Sequence, residues 1–366
     1  MPVRVGRFSF SSVFRYNLNM SEQTLYRKYR PQKFSEVLGQ EQVTQVLETS
    51  LKNGGLVHAY LFAGPRGTGK TSVARLLAKA INCSERDLFE IDGASNRGID
   101  EIRALREAVS TLPFESPYKV YIIDEVHMLT KDAFNALLKT LEEPPAHVVF
   151  ILATTEPHKV IETIVSRCQT HQFKKPTLEI LQKMVVDVAQ KEKVSLAEEV
   201  ASLVAFLGDG SFRDTLGILQ KVISYSPDKK ISVEEARQIT GAPSFELVSD
   251  FVLALAQSDL ESALASLDKV AEQSLEMKVF LKIAMREIRF LILSVFAPRL
   301  KTKVAGELTA ASRTFLNKPK EEVVTGAKQL ASVLREFLDI YSELNDSFIP
   351  QAPIELALIK TLGQKP

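Results

Sequence analysis

One eight-residue segment has the residue types and spacing that surround a phosphate group. Residues 64–71 read Gly-Pro-Arg-Gly-Thr-Gly-Lys-Thr and fit the pattern G-x-x-x-x-G-K-[ST]. Glycines allow backbone N–H groups to curl around phosphate oxygens, and the N-terminus of the following helix adds positive potential. The pattern assigns Lys70 to the β- and γ-phosphates of a nucleotide and the Thr71 hydroxyl to Mg²⁺. The residues expected to contact the nucleotide in this segment are Gly64, Pro65, Arg66, Gly67, Thr68, Gly69, Lys70, Thr71 and Ser72.

Two acidic residues could complete the chemistry of this segment. An apolar stretch, residues 120–123, is followed directly by Asp124 and Glu125. Carboxylates at the end of a buried strand are costly unless they hold something. We expect Asp124 to hold Mg²⁺ through water and Glu125 to polarise the water that attacks the γ-phosphate. The alternative is a strand that runs into a solvated loop, and the intact phosphate-binding segment argues against it.

Three other polar residues fall at the ends of predicted elements. Thr155 closes the next apolar strand, where its hydroxyl could bind the attacking water or the γ-phosphate, although an ordinary strand threonine is the simpler interpretation. Arg167 follows a helical turn and is either solvated or an arginine finger for the γ-phosphate of a neighbouring protomer. Arg213 begins a helix and could contact the same phosphate from within its own chain.

The elements that must position these residues alternate between strand and helix. An apolar strand pattern at residues 59–63 precedes the phosphate-binding segment, and a helical pattern at residues 73–81 follows it. Continued alternation up to residue 176 predicts an α/β fold: a parallel sheet with helices on both faces and ligands at the carboxyl ends of its strands. Beyond residue 176 the strand signals fade, and helix caps are predicted where Ser195, Ser232 and Ser258 each precede a glutamate by three residues.

Composition restricts the class of protein. The 366 residues carry a net charge of +1, which disfavours a uniformly basic nucleic-acid coat but allows a local basic face. Cys83 and Cys168 are the two cysteines, so no disulfide framework or four-cysteine zinc site is possible and a cytoplasmic location is expected. No apolar run is long enough for a membrane span. Residues 1–19 contain arginine, serine and phenylalanine without an acidic residue, and we expect either that they are disordered or that Met20 is the true start.

With these motifs in this order, the chain resembles the AAA+ ATPases and, more narrowly, the gamma/tau family of bacterial DNA polymerase III, the motor of the sliding-clamp loader. The segments that carry the narrower resemblance are residues 29–34, 37–40, 58–62, 78–83, 123–129, 134–145 and 166–168. The resemblance implies an AAA+ P-loop domain at residues 20–176, a small helical lid at 177–241 and an all-α collar at 242–366.

The resemblance also implies a role for each candidate site residue. Residues 64–71 would be the Walker A loop, Asp124 and Glu125 the Walker B acids, and Thr155 sensor 1. Arg167 would be the finger that acts in trans, and Arg213 would be sensor 2. The residues that would flank the adenine of ATP are Arg30, Pro31, Val37 and Leu38.

The partners that the resemblance implies are a sliding clamp, primed DNA, further copies of the chain and subunits of the delta and delta-prime types, arranged in a five-subunit ring. The chain would be grouped with DNA-directed DNA polymerases through that assembly, although it shows no polymerase carboxylate motif. DNA contacts are expected at Asn96, Arg97 and Arg103, where a helix is predicted to begin, with a solvated helix face as the alternative.

Two departures from the family pattern are visible. Relatives commonly carry a four-cysteine zinc module after Asn-Cys, whereas Cys83 is followed by Ser84-Glu85-Arg86-Asp87, so no zinc is expected. The chain also stops near the end of the collar. Two other functions remain open at this point: a non-hydrolysing scaffold subunit of the same assembly, and a different AAA+ DNA machine such as a branch-migration helicase.

Overall fold

The computed structural model describes residues 24–300 and 321–363, apart from residues 97, 227 and 346. The predicted leader, residues 1–19, lies outside the described residues. The strands are β1 (Ala59–Ala63), β2 (Leu88–Asp92), β3 (Lys119–Asp124), β4 (Val148–Thr154), β5 (Gln169–Gln172), β6 (Ser195–Leu196) and β7 (Lys230–Ile231). The helices are α1 (Leu25–Lys28), α2 (Glu41–Lys52), α3 (Lys70–Ala80), α4 (Ile99–Val109), α5 (Lys131–Glu142), α6 (Glu162–Val165), α7 (Leu178–Lys191), α8 (Glu198–Leu207), α9 (Phe212–Tyr225), α10 (Val233–Thr240), α11 (Phe245–Ala256), α12 (Leu260–Glu272), α13 (Met277–Phe296), α14 (Glu321–Ile340) and α15 (Ala352–Leu362).

The first five strands form one parallel sheet in the order β2-β3-β4-β1-β5. This arrangement confirms the predicted α/β fold. Strand β1, which leads into residues 64–71, and strand β3, which ends at Asp124, both pair with β4. The carboxyl ends of these three strands therefore meet at one edge of the sheet, and that edge carries the candidate site.

Alternate residues of the central strands pack on opposite faces of the sheet. Tyr121 and Phe150 belong to a core shared with helices α4 and α5, whereas Tyr60 and Phe62 belong to a core shared with α2 and α3. All residues of β1 and β4 are buried, as expected for strands covered on both faces. Because both faces of the sheet are packed, the strands cannot shift, and the polar residues at their carboxyl ends are held in fixed positions.

Helices α7–α10 surround a second hydrophobic core, and we call this group of helices the lid. Helix α1, at the start of the described chain, packs into the same core. Leu25 of α1 is buried in this core, and the Leu25 N–H donates to Oε1 of Gln220 in α9 at 3.0 Å. The sequence predicted that this segment belongs to the sheet domain, but its contacts join it to the lid.

A third core, which we call the collar, is built from α11–α15. The rings of Phe251, Phe280 and Phe337 pack together at its centre, with centroid separations of 5.0 and 6.1 Å. Lys282 of α13 joins the collar to the lid, because its Nζ donates to the Phe206 carbonyl at 3.2 Å. The exact bounds of the three domains stay a prediction.

The local expectations beyond residue 176 had mixed outcomes. Ser232 and Glu235 form the predicted capping box. The caps predicted at Ser195 and Ser258 are wrong, because the first lies in β6 and the second is replaced by Asp259, whose side chain accepts from the Ser262 N–H. Two-residue strands such as β6 and β7 are too short to produce a period-2 signal, so the sequence did not reveal them.

Within residues 24–300 and 321–363, no single helix combines the length and hydrophobicity required to cross a membrane. The pair α10 and α11 meets those two criteria only jointly and is bent by 67°.

Candidate nucleotide-binding site

Residues 64–69 form a tight loop between β1 and α3, and two glycines make the loop possible. Gly64 has φ of +151°, and a Cβ there would lie 2.4 Å from the Phe173 carbonyl oxygen. Gly67 has φ of +70°, and a Cβ there would lie 1.9 Å from Oγ of Ser211. Larger residues would clash at both positions, so the loop requires glycine at Gly64, which the motif fixes, and also at Gly67, where the motif allows any residue.

Lys70, the first residue of α3, is buried and spans the loop. Its Nζ donates to the carbonyl oxygens of Gly64 at 2.7 Å and Pro65 at 2.9 Å. Burial lowers the pKa of the Lys70 ammonium, and the nearby carboxylates of Glu125 and Asp124 act in the opposite direction. An ammonium held in this way is ready to exchange carbonyl partners for phosphate oxygens.

Thr71 and Asp124 meet across the site. The Thr71 hydroxyl donates to Oδ2 of Asp124 at 2.9 Å. Hydroxyl and carboxylate oxygens are hard ligands, and Mg²⁺ in proteins is held by one or two such groups together with water and substrate phosphates. The pair therefore fits the predicted magnesium position.

Glu125 follows β3 in a left-handed conformation, with φ of +48°. Its Oε2 accepts hydrogen bonds from Thr155, at 2.8 Å from Oγ1 and 3.2 Å from the backbone N–H. Gly93 allows the Glu125 backbone to approach β2 closely, because a Cβ at Gly93 would lie 2.8 Å from the Glu125 carbonyl oxygen. Thr155 thus contacts the carboxylate of Glu125, a partnership that the sequence reasoning did not foresee.

A cavity of about 880 Å³ opens above the loop, between the sheet and the lid. Lys70, Thr71, Asp124 and Glu125 line its floor. All four residues expected around an adenine also line it: Arg30, Pro31, Val37 and Leu38. Thirteen lining residues were not predicted from the sequence: Tyr26, Arg27, Lys28, Tyr29, Gln32, Glu36, Asp92, Met184, Asp187, Val188, Lys191, Phe212 and Leu216. The last six lie in α7 and α9, where helical periodicity makes a ligand-facing apolar residue look like an ordinary core residue.

Arg213 lies in the first turn of α9 and lines the same cavity. Its guanidinium carbon is 5.0 Å from the ring centroid of Tyr26. Arg213 therefore brings a cation from the lid to the cavity, held against an aromatic ring.

Arg167 is not among the residues that line the cavity. Its guanidinium donates to the Thr163 carbonyl and to Oε1 of Glu142, both at 2.7 Å. The side chain is about one third exposed. This position leaves it available at the surface and away from its own chain's phosphate loop.

The predicted DNA contacts are only partly described. Asn96 precedes α4, and its Nδ2 donates to the Asp92 carbonyl at 3.0 Å. Arg97 lies outside the described residues, and Arg103 lies in α4 with its side chain outside them.

Neither cysteine stands in an activated environment. Burial raises the pKa of the Cys168 thiol to about 12, and burial also raises the pKa of Cys83. The prediction that no zinc is bound stays a prediction.

Known proteins of similar sequence are subunits of DNA polymerase III. The family described as "DNA polymerase III, delta subunit" matches residues 39–98 and 87–177. The chain is 39% identical to DNA polymerase III subunit tau of Bacillus subtilis over 93% of its own length, and 38% identical to subunit tau of Escherichia coli over 72%. It spans 63% and 44% of the lengths of those two relatives.

A solved structure resembles the fold at lower identity. The Thermotoga maritima RuvB Holliday junction branch migration motor superposes with a TM-score of 0.50 and 20% identity, over 69% of this chain and 90% of that one. At this level of identity the likeness concerns the fold alone, a parallel α/β domain followed by helices.

Proposed function

Because the chain is related to the gamma/tau subunits of bacterial DNA polymerase III, we propose that it is an ATP-hydrolysing motor of a sliding-clamp loader. In this role it binds ATP and Mg²⁺, opens a clamp while ATP is bound, and releases the clamp on primed DNA after hydrolysis. The whole activity is a proposal, since the chain spans less than two thirds of its relatives.

One observation supports ATP binding above the others. Lys70, Thr71 and Asp124 converge on the floor of one cavity, with Oγ1 of Thr71 2.9 Å from Oδ2 of Asp124. Lys70 would bind the β- and γ-phosphates, and Thr71 with Asp124 would hold Mg²⁺, which neutralises phosphate charge. The backbone N–H groups of the loop and the N-terminus of α3 would hold the remaining phosphate oxygens. Arg30, Pro31, Val37 and Leu38 would flank the adenine.

Hydrolysis would depend on Glu125, with Thr155 as its partner. Glu125 would orient and polarise the attacking water, and the hydrogen bonds from Thr155 would set the direction of its carboxylate. Arg213 would approach the γ-phosphate from the lid as that phosphate draws the lid closed.

Arg167 would complete the site of an adjacent protomer. An arginine that stays outside its own cavity but remains partly exposed suits a finger acting in trans. The ring would include further copies of this chain and subunits of the delta and delta-prime types, joined through the collars. We also propose a cytoplasmic location and grouping with DNA-directed DNA polymerases through the holoenzyme only.

A non-hydrolysing scaffold subunit is the second candidate, and the match to a delta-subunit family favours it. Against it stands the intact set of Lys70, Thr71, Asp124 and Glu125, which a scaffold would not need. No specific observation favours a branch-migration motor, since the likeness to RuvB concerns the fold alone.

Steady-state ATP hydrolysis separates the two candidates. We expect the chain, assembled with its partner subunits, to hydrolyse ATP faster when clamp and primed DNA are both present. Glu125→Gln is the matched control, because it keeps the shape of the side chain and removes the carboxylate. Turnover that is absent in the unmodified assembly, or unchanged in Glu125→Gln, would favour the scaffold.

A further inference from the structure

A buried histidine lies immediately behind the proposed catalytic glutamate. His127 belongs to the short 3₁₀ helix Val126–Met128, which follows β3, and only 4% of its side chain is exposed. The ring bridges the ends of two neighbouring strands, because β3 ends at Asp124 and β4 ends at Thr154. Neither the Walker motifs nor the sensor residues account for a polar ring in this position.

Both ring nitrogens face oxygen atoms. Nδ1 lies 2.9 Å from Oγ1 of Thr154 and 3.4 Å from Oε2 of Glu125. Nε2 lies 3.4 Å from Oε1 of Glu156. Thr154 is the hydrogen-bond partner of Nδ1, whereas the 3.4 Å contact with Glu125 is a longer electrostatic one, favourable when Nδ1 carries a hydrogen because an ionised carboxylate only accepts hydrogen bonds.

The same oxygen of Glu125 is also held by Thr155. Its Oε2 accepts from the Thr155 hydroxyl at 2.8 Å and backbone N–H at 3.2 Å. Two hydrogen bonds from Thr155 and the longer contact from Nδ1 of His127 therefore converge on Oε2. With Oε2 fixed, Oε1 is the oxygen left to accept a proton from water. The contacts to Oε2 restrict rotation of the carboxylate and so determine where Oε1 points.

We propose that His127 is a positioning residue for ATP hydrolysis: with Thr155 it fixes the Glu125 carboxylate in the orientation that activates water. The inference rests on the proposed function. It adds a residue that does not touch the nucleotide and acts only through Glu125. Its loss should lower the rate of hydrolysis and leave ATP binding intact, since the floor of the cavity keeps Lys70, Thr71 and Asp124.

The alternative is that His127 is only a well-packed core residue, and substitutions of different length separate the two. In His127→Asn the amide nitrogen falls near the position of Nδ1, on the side of Glu125. In His127→Gln it falls near the position of Nε2, on the side of Glu156. A packing role treats these two variants alike, whereas a positioning role distinguishes them.

The experiment measures kcat and the Kd for ATP in the assembled complex for His127→Ala, His127→Asn and His127→Gln. We expect His127→Ala to lower kcat about tenfold, as misplacement of a catalytic group does, with the Kd for ATP changed less than about twofold. His127→Asn should recover most of the lost rate, and His127→Gln should not. His158→Asn is the control, because His158 also approaches Glu156, at 3.6 Å, but its side chain is 74% exposed.

Thermal unfolding of each variant shows whether the compared proteins are equally folded. Equal kcat for the Asn and Gln variants at matched folded fraction, or an unchanged kcat in His127→Ala, would overturn the proposal. An unmodified complex that hydrolyses no ATP would instead overturn the proposed function.

Discussion

The backbone N–H of Phe212 donates a hydrogen bond to the Gly67 carbonyl at 2.9 Å. Phe212 begins lid helix α9, and Gly67 is the middle glycine of the phosphate-binding loop. This bond joins the lid to the loop at the point where Arg213 enters the cavity. A nucleotide that reshapes the loop therefore acts on a group that the lid is bonded to.

The first prediction concerns this contact between lid and loop. Gly67→Ala places a Cβ at φ of +70° and 1.9 Å from Oγ of Ser211, so we expect the lid to be displaced and ATP binding to weaken by about tenfold or more. Gly54→Ala is the control, because Gly54 has φ of +71° with nothing within 4 Å and should lose only stability. Equilibrium titration with ATP measures the effect.

A compensating substitution makes that prediction sharper. In the double variant Gly67→Ala/Ser211→Gly the clashing side chain is absent, and the loss of a serine N-cap costs only a few tenths of a kcal/mol. ATP binding should then recover in part. If binding is as strong in Gly67→Ala as in the unmodified chain, the contact does not couple the lid to the loop.

The second prediction tests whether Arg167 acts in trans. Arg167→Ala should leave ATP binding unchanged and lower hydrolysis in the assembled ring by about 10³-fold, the contribution typical of an arginine finger. Mixing Arg167→Ala chains with Lys70→Ala chains should restore part of the activity. In such a mixture a chain with an intact loop can receive the finger of a neighbour whose own loop is disabled.

Complementation separates the two possible arrangements. A finger that served its own chain would give two inactive variants and an inactive mixture. Restored turnover requires a finger from another protomer, whereas a persistently inactive mixture with intact assembly would contradict the role in trans.

The third prediction concerns DNA. Reversing the charges of Arg97 and Arg103 together should weaken the stimulation of hydrolysis by primed DNA and leave the basal rate unchanged, because cations that follow the phosphate backbone act on affinity. In a plot of the logarithm of DNA affinity against the logarithm of salt concentration, the magnitude of the slope should fall by about one for each lost phosphate contact. Lys230→Glu, at an exposed position of the lid, is the control. Full stimulation of the doubly reversed protein would rule out this DNA-contact role.

The fourth prediction concerns stability. Asp87 is 1% exposed, and its carboxylate accepts hydrogen bonds from Ser116 Oγ at 2.6 Å and from the backbone N–H groups of Glu115 and Ser116 at 3.0 and 2.9 Å. Burial raises the pKa of this carboxyl, but the hydrogen bonds outweigh burial and hold the pKa well below its usual range. Asp87→Asn should lower the free energy of unfolding by about 2 kcal/mol near neutral pH.

The pH dependence follows from the direction of the shift. A depressed pKa stabilises the fold at every pH above the unfolded value of about 3.9, and the contribution is lost as the pH falls through the folded value. The difference in the free energy of unfolding between the unmodified and the Asp87→Asn protein should therefore stay constant from about pH 8 to pH 5 and shrink below about pH 4. Asp228→Asn, a change at an exposed turn, should cost much less. A difference that grows towards low pH would contradict this account.

Much of the site could be predicted because its chemistry lies in contiguous segments. The loop at residues 64–71 and the acids Asp124 and Glu125 each follow an apolar strand, so the motif and its structural setting are read together. The strand order was not predictable, since nothing local in the sequence states that β4 lies between β1 and β3. Contacts that depend on that order, such as Thr155 with Glu125, were hidden for the same reason.

Other features were missed because their signal is weak or shared with other structures. Leu25 reads as one apolar residue in a short basic segment, and its burial in the lid depends on α9, almost 200 residues later in the chain. Ser258 fits a capping pattern, but Asp259 directly after it provides the competing cap. Which of two neighbouring residues caps a helix depends on the direction of the helix axis, and tertiary packing sets that direction.

The most direct test of the central claim is an equilibrium titration of the purified chain with ATP in the presence and absence of Mg²⁺. We predict saturable binding that is strengthened by Mg²⁺ and abolished by Lys70→Ala, because Lys70 supplies the buried cation of the loop. Folded protein that shows no saturable binding with Mg²⁺ supplied, or Lys70→Ala protein that binds as tightly as the unmodified chain, would contradict the account.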